Sequence, residues 1–312
     1  MSISPERDVV VVGKSIAGVA AALTLSRSHK VGIVDYPYDN VPLGDAFLIG
    51  PTPLSGAPLS GVEFEMLADR AMEDAEIEKL DYSLATPFFP DRVTVDAINR
   101  QIQIEDTMNK SRVKCNAIVF APQGTQYYRT LPFDISTLKG KSCSMSAWSD
   151  GPYFRNKSVA VYGSGYYAMQ QALILESMGC SVSILITGSE IPNRNNEIIR
   201  RLLYHVSVSK HINVNIGSTV LSIDAPGGFL KHVEVFQSKA SKLIKADALF
   251  VANDPTADWT LWGEGSQVEQ IKSEMHFRPA GIANGFLPLD HDEIFNDGVI
   301  SAQSLLKCLR QS

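Results

Sequence analysis

Two short glycine-bearing segments have the residue types and spacing to hold a phosphate. Gly13-Lys-Ser-Ile-Ala-Gly18 follows the β-branched run Asp8–Val12 and precedes the Ala/Leu-rich stretch Val19–Ser26. It fits G-x-[GS]-x-x-G between a strand and a helix. Gly13 permits the tight turn, Ser15 is small enough for backbone to approach a pyrophosphate, and Gly18 lets the helix close on the strand. Ile16 and Ala17, within the turn, are candidate cofactor contacts, and the helix N-terminus beyond them supplies free N–H groups and a partial positive charge that favour an anion. Asp35, about 20 residues on, ends the next apolar run, where an acid accepts hydrogen bonds from a ribose. The alternative is a glycine-rich turn that serves the fold alone.

The second segment is Gly163-Ser-Gly-Tyr-Tyr-Ala168, flanked by a strand pattern at Lys157–Tyr162 and a helix pattern at Met169–Met178. Gly163, Gly165 and Ala168 repeat the fingerprint. After the following strand, Ser181–Ile186, come Thr187, Gly188 and Ser189. No acid stands there to read a ribose, and no arginine or lysine to grip a 2′-phosphate. NAD(P)H at this turn is therefore left open against a fold kept without its ligand. Other chemistry is sparse. Cys115, Cys143, Cys180 and Cys308 are scattered, with no CxxC and no zinc spacing, so no metal site is expected. His29, His205, His211, His232, His276 and His291 share no metal-binding spacing, which favours surface or capping roles. No G-x-S-x-G elbow occurs, which speaks against a serine hydrolase.

The elements around these turns must place them at the ends of parallel strands. The chain has 312 residues, 45% of them hydrophobic and 20% charged, which suits two medium globular domains and excludes a disordered chain. The net charge of −6 and the lack of a dense Lys/Arg run exclude a nucleic-acid footprint. No apolar stretch reaches transmembrane length, and the N-terminus lacks a basic segment ahead of a cleavable apolar one. No membrane association and a cytoplasmic location are the expectations. Pro37–Gly61 reads as a binding loop and Thr94–Ile104 as a hairpin. Ala117–Ala121, Ala248–Ala252 and Gly298–Ala302 read as further buried strands.

On these motifs the chain resembles low-molecular-weight thioredoxin reductase, in order and over nearly its full length. The likeness includes the first fingerprint, the strand end Ala121-Pro-Gln-Gly124 where the family has Ala-Thr-Gly, and Asp150-Gly-Pro-Tyr-Phe-Arg-Asn-Lys157 leading into the second fingerprint. It implies an α/β fold of two Rossmann-like three-layer domains. Residues 1–118 and 248–312 would form the FAD domain, with Ala121 among the cofactor contacts. Residues 119–247 would form an NAD(P)-binding-like domain. A homodimer is implied as well.

Departures from the family matter for function. Its redox pair, Cys-x-x-Cys followed by Asp, aligns with Ser146-Ala-Trp-Ser149 followed by Asp150, and a hydroxyl cannot exchange a disulfide. The Gly-Asp expected after the late strand aligns with Gln303-Ser304, and the final helix is expected to be cut short. Trp148 and Asp150 are the candidate catalytic residues. Trp148 would stack on the flavin or wall a substrate pocket, and Asp150 would donate or accept a proton. The alternative is that Trp148 packs at an interface and Asp150 caps the next turn. The resemblance implies an FAD-dependent oxidoreductase acting on a small molecule without a redox disulfide. Ferredoxin–NADP reductase-like electron transfer and a non-catalytic ligand-binding protein are the alternatives.

Overall fold

The β-branched run that opens the chain is buried on both faces of a sheet. The computed structural model describes residues 6–36, 61–80, 88, 90–96, 101–122, 131–138, 140–163, 165–192, 194–195, 197–253, 257, 259–262, 276–284 and 291–310. The chain divides into two units, residues 1–125 with 255–312 and residues 126–254.

The first unit starts with β1 (Glu6–Val12), α1 (Ile16–Leu25) and β2 (Val31–Val34). It continues through α2 (Gly61–Asp74), β3 (Glu78–Lys79), β4 (Arg92–Asp96), β5 (Gln101–Asp106) and β6 (Ser111–Phe120). The second unit holds β7 (Cys143–Ser144), α3 (Ala147–Asp150), β8 (Ser158–Tyr162), α4 (Tyr166–Ser177), β9 (Ser181–Ile186), α5 (Glu197–Val208) and β10 (Ile212–Ile216). It ends with β11 (Thr219–Asp224), β12 (His232–Gln237), β13 (Ala240–Lys245) and β14 (Ala248–Val251). The chain then returns to the first unit with β15 (Phe277–Pro279) and α6 (His291–Leu309).

In the first unit the sheet order is β3-β2-β1-β6-β5-β4, with β15 also on β6. β3, β2, β1, β6 and β15 run parallel, whereas β4, β5 and the first half of β6 form an antiparallel meander. The β4–β5 pair matches the hairpin expected over 94–104. Alternate residues of the strands feed two cores. Val9, Val11, Ala117 and Val119 pack under α1, α2 and α6, and Val10, Val12, Ile118 and Phe120 pack against Leu80, Phe88, Trp262 and Phe277. Burying each such valine contributes roughly 1.5–3 kcal/mol. α1 is apolar nearly all round because helices cover it on two sides; its sequence, IAGVAAALTL, has no polar face to give to water.

The second unit repeats the plan, with a parallel sheet β10-β9-β8-β14-β7 and a three-stranded antiparallel sheet β11-β12-β13. Both sheets feed a core of Tyr162, Leu185, Val233, Val235 and Leu249.

Three expectations are corrected. Ala248–Val251 belongs to the second unit, pairing with β8, and Val119 and Phe120 complete β6 of the first. The expected boundary at 118 therefore cuts through β6 and the one at 248 assigns β14 to the wrong unit; the chain crosses over near 125 and 255 instead. Gly298–Ala302 is no strand but the middle of α6, a 19-residue helix. The late parallel strand is β15, so Ala280-Gly281-Ile282, not Gln303-Ser304, follows it. Of the loop expected at 37–61, residues 37–60 lie outside the described residues, as do Gln123 and Gly124.

Candidate functional site

The first turn is held by strand-end hydrogen bonds. Gly13 N–H donates to Val34 O at 2.8 Å, and Ala121 N–H donates to Val12 O at 2.8 Å. Gly13, Asp35 and Ala121 thus meet at the carboxyl ends of β1, β2 and β6, the edge where such sheets bind ligands. Gly13 has φ +110°, and a Cβ there would lie 2.2 Å from Ala121 O. A Cβ on Gly18 would lie 2.1 Å from Gly13 O. Ser15 caps α1, its Oγ accepting from Gly18 N–H at 3.2 Å. The N–H groups of Ile16 and Ala17 lie outside the helix's own ladder, and α1 has no acid in its first turn. Ile16 and Ala17 are buried, so their contribution is made by backbone. Asp35 is half-buried. This backbone cradle, which no side chain could share, fits a pyrophosphate.

Two residues that sequence reasoning missed close the cradle. Gly281, at φ +60°, sits so near α1 that a Cβ would be 3.0 Å from the Ala17 methyl and 4.0 Å from Ser15 Oγ. Asp297 of α6 is buried and accepts from Gly281 N–H at 2.7 Å and from Asn284 Nδ2 at 2.9 Å. Gly298 beside it lets α6 touch α1, for a Cβ there would be 2.2 Å from Ala17 O. The signal was present: Ile294, Asp297, Ser301, Ala302 and Leu305 are all buried, at helical spacing.

The second turn has the same frame. Gly163 N–H donates to Leu185 O at 3.2 Å and Ala252 N–H to Tyr162 O at 2.8 Å. A Cβ on Gly163 would lie 2.1 Å from Ala252 O and 3.1 Å from the Ala168 methyl. Gly165 caps α4 without a side-chain bond. At the end of β9 the Thr187 hydroxyl donates to Tyr162 Oη at 3.2 Å, and Ser189 and Arg194 are exposed.

Ser146 to Asp150 form a self-capped turn. Ser146 Oγ accepts from Ser149 N–H at 3.0 Å and bonds Ser149 Oγ at 3.1 Å. Ala147 N–H donates to Gln171 Oε1 of α4. The Asp150 carboxylate accepts from Ser144 Oγ at 2.7 Å. It makes no side-chain cap bond to the following 3-10 turn, Gly151–Phe154, which corrects the capping alternative. Trp148 is 55% exposed.

None of the four cysteines is in a disulfide. Cys115 is sealed in β6, and burial pushes its thiol up to about 12. Burial also raises the Cys180 thiol, which donates to Phe154 O at 3.1 Å.

Two dinucleotide-type units in one chain define a class, the two-domain nucleotide-binding flavoprotein fold. The family model for "Pyridine nucleotide-disulphide oxidoreductase" matches residues 7–273, and the chain belongs to that family. Thioredoxin reductases of this family bind FAD and use NADPH, and the backbone cradle of the first turn is consistent with FAD. A thioredoxin reductase from Penicillium chrysogenum is 29% identical over 148 residues, 46% of this chain and 43% of that protein. A glucosaminate ammonia-lyase from Pseudomonas fluorescens is 28% identical over 160 residues, 50% of this chain and 48% of that protein. The matched stretch thus spans under half the length of each. The crystal structure of Lactococcus lactis thioredoxin reductase in its FR conformation shares the fold, with a TM-score of 0.80 and 18% identity over 98% of this chain and all of that one. Among the described residues, no helix is long and apolar enough to cross a membrane.

Proposed function

We propose that the chain is an FAD-dependent oxidoreductase that acts on a small molecule and has no disulfide mechanism. The observation that carries this reading is the Ser146–Ser149 pair. The Ser146 hydroxyl caps α3 and donates to the Ser149 hydroxyl, at the positions that align with the family's two thiols. No two cysteines of the chain stand in a CxxC, and Cys115 and Cys180 hold raised pKa values in apolar surroundings, unsuited to thiolate chemistry.

In this reading the first unit binds FAD. Ile16 and Ala17 N–H hold the pyrophosphate, Asp35 takes the ribose hydroxyls, and Gly13, Ser15, Gly18 and Ala121 keep the cradle clear. FAD, when bound, supplies the acceptor for two electrons. Asp150, held by the Ser144 hydroxyl, is the group that takes a substrate proton at its carboxylate. The exposed indole of Trp148 gives the substrate an apolar surface. The second unit, through Gly163, Gly165 and Ala168, takes a pyridine nucleotide. Without a base beside Thr187 it favours NADH over NADPH. A homodimer in the cytoplasm completes the proposal; a mass of one chain in light scattering would remove the dimer.

The test compares flavin-loaded variants. Asp150→Asn should lower turnover at least ~100-fold with flavin content unchanged, the scale of a lost acid–base group. Trp148→Ala should chiefly raise KM. Cys143→Ser should leave activity intact, and the protein should not reduce thioredoxin. Activity lost in Cys143→Ser, or unchanged turnover in Asp150→Asn, would reject the mechanism.

A further inference from the structure

Three parallel strands of the first unit, in the order β3-β2-β1, end in charged residues. Lys79 is the last residue of β3, Asp35 follows β2, and Lys14 lies in the turn after β1. Asp35 therefore stands between two lysines at the edge where the adenosine end of a dinucleotide is read. Two ammonium groups there would ordinarily invite a ribose phosphate. Both are instead tied to a carboxylate of α2. Lys14 Nζ lies 2.7 Å and Lys79 Nζ 3.2 Å from Asp69 Oδ1, and Lys79 also reaches Glu73 Oε1 at 3.5 Å. The two lysine side chains are mostly covered, at 16% and 19% exposure, so they are held rather than trailing in solvent.

We propose that Asp69 is a specificity-determining residue: by claiming Lys14 and Lys79, it makes the first turn reject adenosine carrying a 2′-phosphate and accept adenosine with a free ribose diol. The reading of that turn as the FAD site underlies this inference. Among the described residues, the local balance is two ammonium groups against the carboxylates of Asp69, Asp35 and Glu73. A dianionic phosphate meets net repulsion there, while a diol meets an acceptor in Asp35. Removing Asp69 releases two donors of the kind that grip phosphate. Asp69 is a positioning residue in this scheme. It acts through the lysines, and its own carboxylate need touch no ligand.

The experiment is competition for FAD uptake by the flavin-freed full chain, read by quenching of flavin fluorescence, with ADP and 2′,5′-ADP as competitors. FAD uptake confines the readout to the first turn. The native chain should prefer ADP. Asp69→Asn should shift the ratio toward 2′,5′-ADP by roughly tenfold, the scale of one charge-assisted bond to phosphate. Adding Lys14→Gln to that variant should reverse most of the gain. An unchanged ratio in Asp69→Asn, with FAD uptake intact, overturns the inference. Should Asp69→Asn fail to take up FAD, the single variants Lys14→Gln and Lys79→Gln decide. Each should keep or strengthen the preference for ADP, and a clear gain in 2′,5′-ADP binding overturns the inference. A native chain that takes up no FAD removes the FAD reading and this inference together, a failure distinct from an unchanged ratio.

Discussion

The two phosphate turns share a frame and differ in everything a ligand would touch. In each, a glycine is pressed against the carbonyl of the residue after the third strand, Ala121 for Gly13 and Ala252 for Gly163. In each, that glycine's N–H reaches the second strand, at Val34 O or Leu185 O. Those features are demands of strand–turn–helix packing and would persist in a unit that binds nothing. The differences begin with the helix start. Ser15 caps α1 through its side chain, whereas Gly165 offers α4 no side-chain bond. The second strand ends in Asp35 in one unit. In the other it leads to Thr187, whose hydroxyl is engaged by Tyr162. Glycines thus report the fold, and the residues at the end of the second strand report the ligand.

The sharpest way to break this comparison is to exchange the residues at the third fingerprint position. Gly18→Ala drives a methyl to 2.1 Å from Gly13 O, a backbone atom that cannot move without opening the cradle. It should abolish flavin retention and cost roughly 3 kcal/mol of stability. Ala168→Gly removes a methyl from a position that tolerates it and should cost about 1 kcal/mol. Flavin absorbance per folded molecule and thermal melts check both. Equal losses in the two variants would mean the turns are equivalent.

A smaller effect should follow from supplying the second turn with the missing base. Ser189 is exposed beyond β9. Ser189→Arg should improve NADPH over NADH by roughly tenfold in flavin reduction measured by stopped flow, the scale of one charge-assisted phosphate bond. No change would separate the loop from nucleotide reading.

The smallest effect concerns pH. Burial alone would raise the Asp69 pKa, but the Lys14 and Lys79 ammonium groups outweigh it and hold the carboxyl below its usual range. A lowered folded value contributes stability above the unfolded pKa, and that contribution disappears as pH falls through the folded one. The pair is partly exposed, so Asp69→Asn should cost about 1 kcal/mol or less near neutrality. The difference should close in acid, below the ordinary carboxylate value of about 3.9. Melting curves across that range check the sign.

Much of the first turn was legible because its signals are local. Consecutive valines at 9–12, a small capping serine and an Ala-rich run each point to strand, cap and helix without reference to the rest of the chain. Gly298-Val-Ile-Ser-Ala302 shows the limit of that reasoning. Its β-branched pair reads as a strand by propensity, yet Ile294, Asp297, Ser301 and Leu305 carry a helical stripe that faces α1. Tertiary packing overrides propensity here because Gly298 lets two helices meet at backbone contact. Asp297 was invisible for a related reason. Nothing in its sequence neighbourhood says that Gly281, sixteen positions earlier, will present an N–H to it.

By itself the sequence determined two strand–turn–helix units, the absence of a CxxC, and acids and bases distributed unequally after them. These are properties of residue type at short spacing, where hydrogen bonding and steric rules act directly. Only the tertiary structure decided which sheet Ala248–Val251 joins. A buried apolar run of four carries no register and can pair with any parallel neighbour. It also decided that Lys14 and Lys79 converge on Asp69, because charges 55 and 10 residues from that carboxylate meet only once β3, β2 and β1 lie side by side under α2.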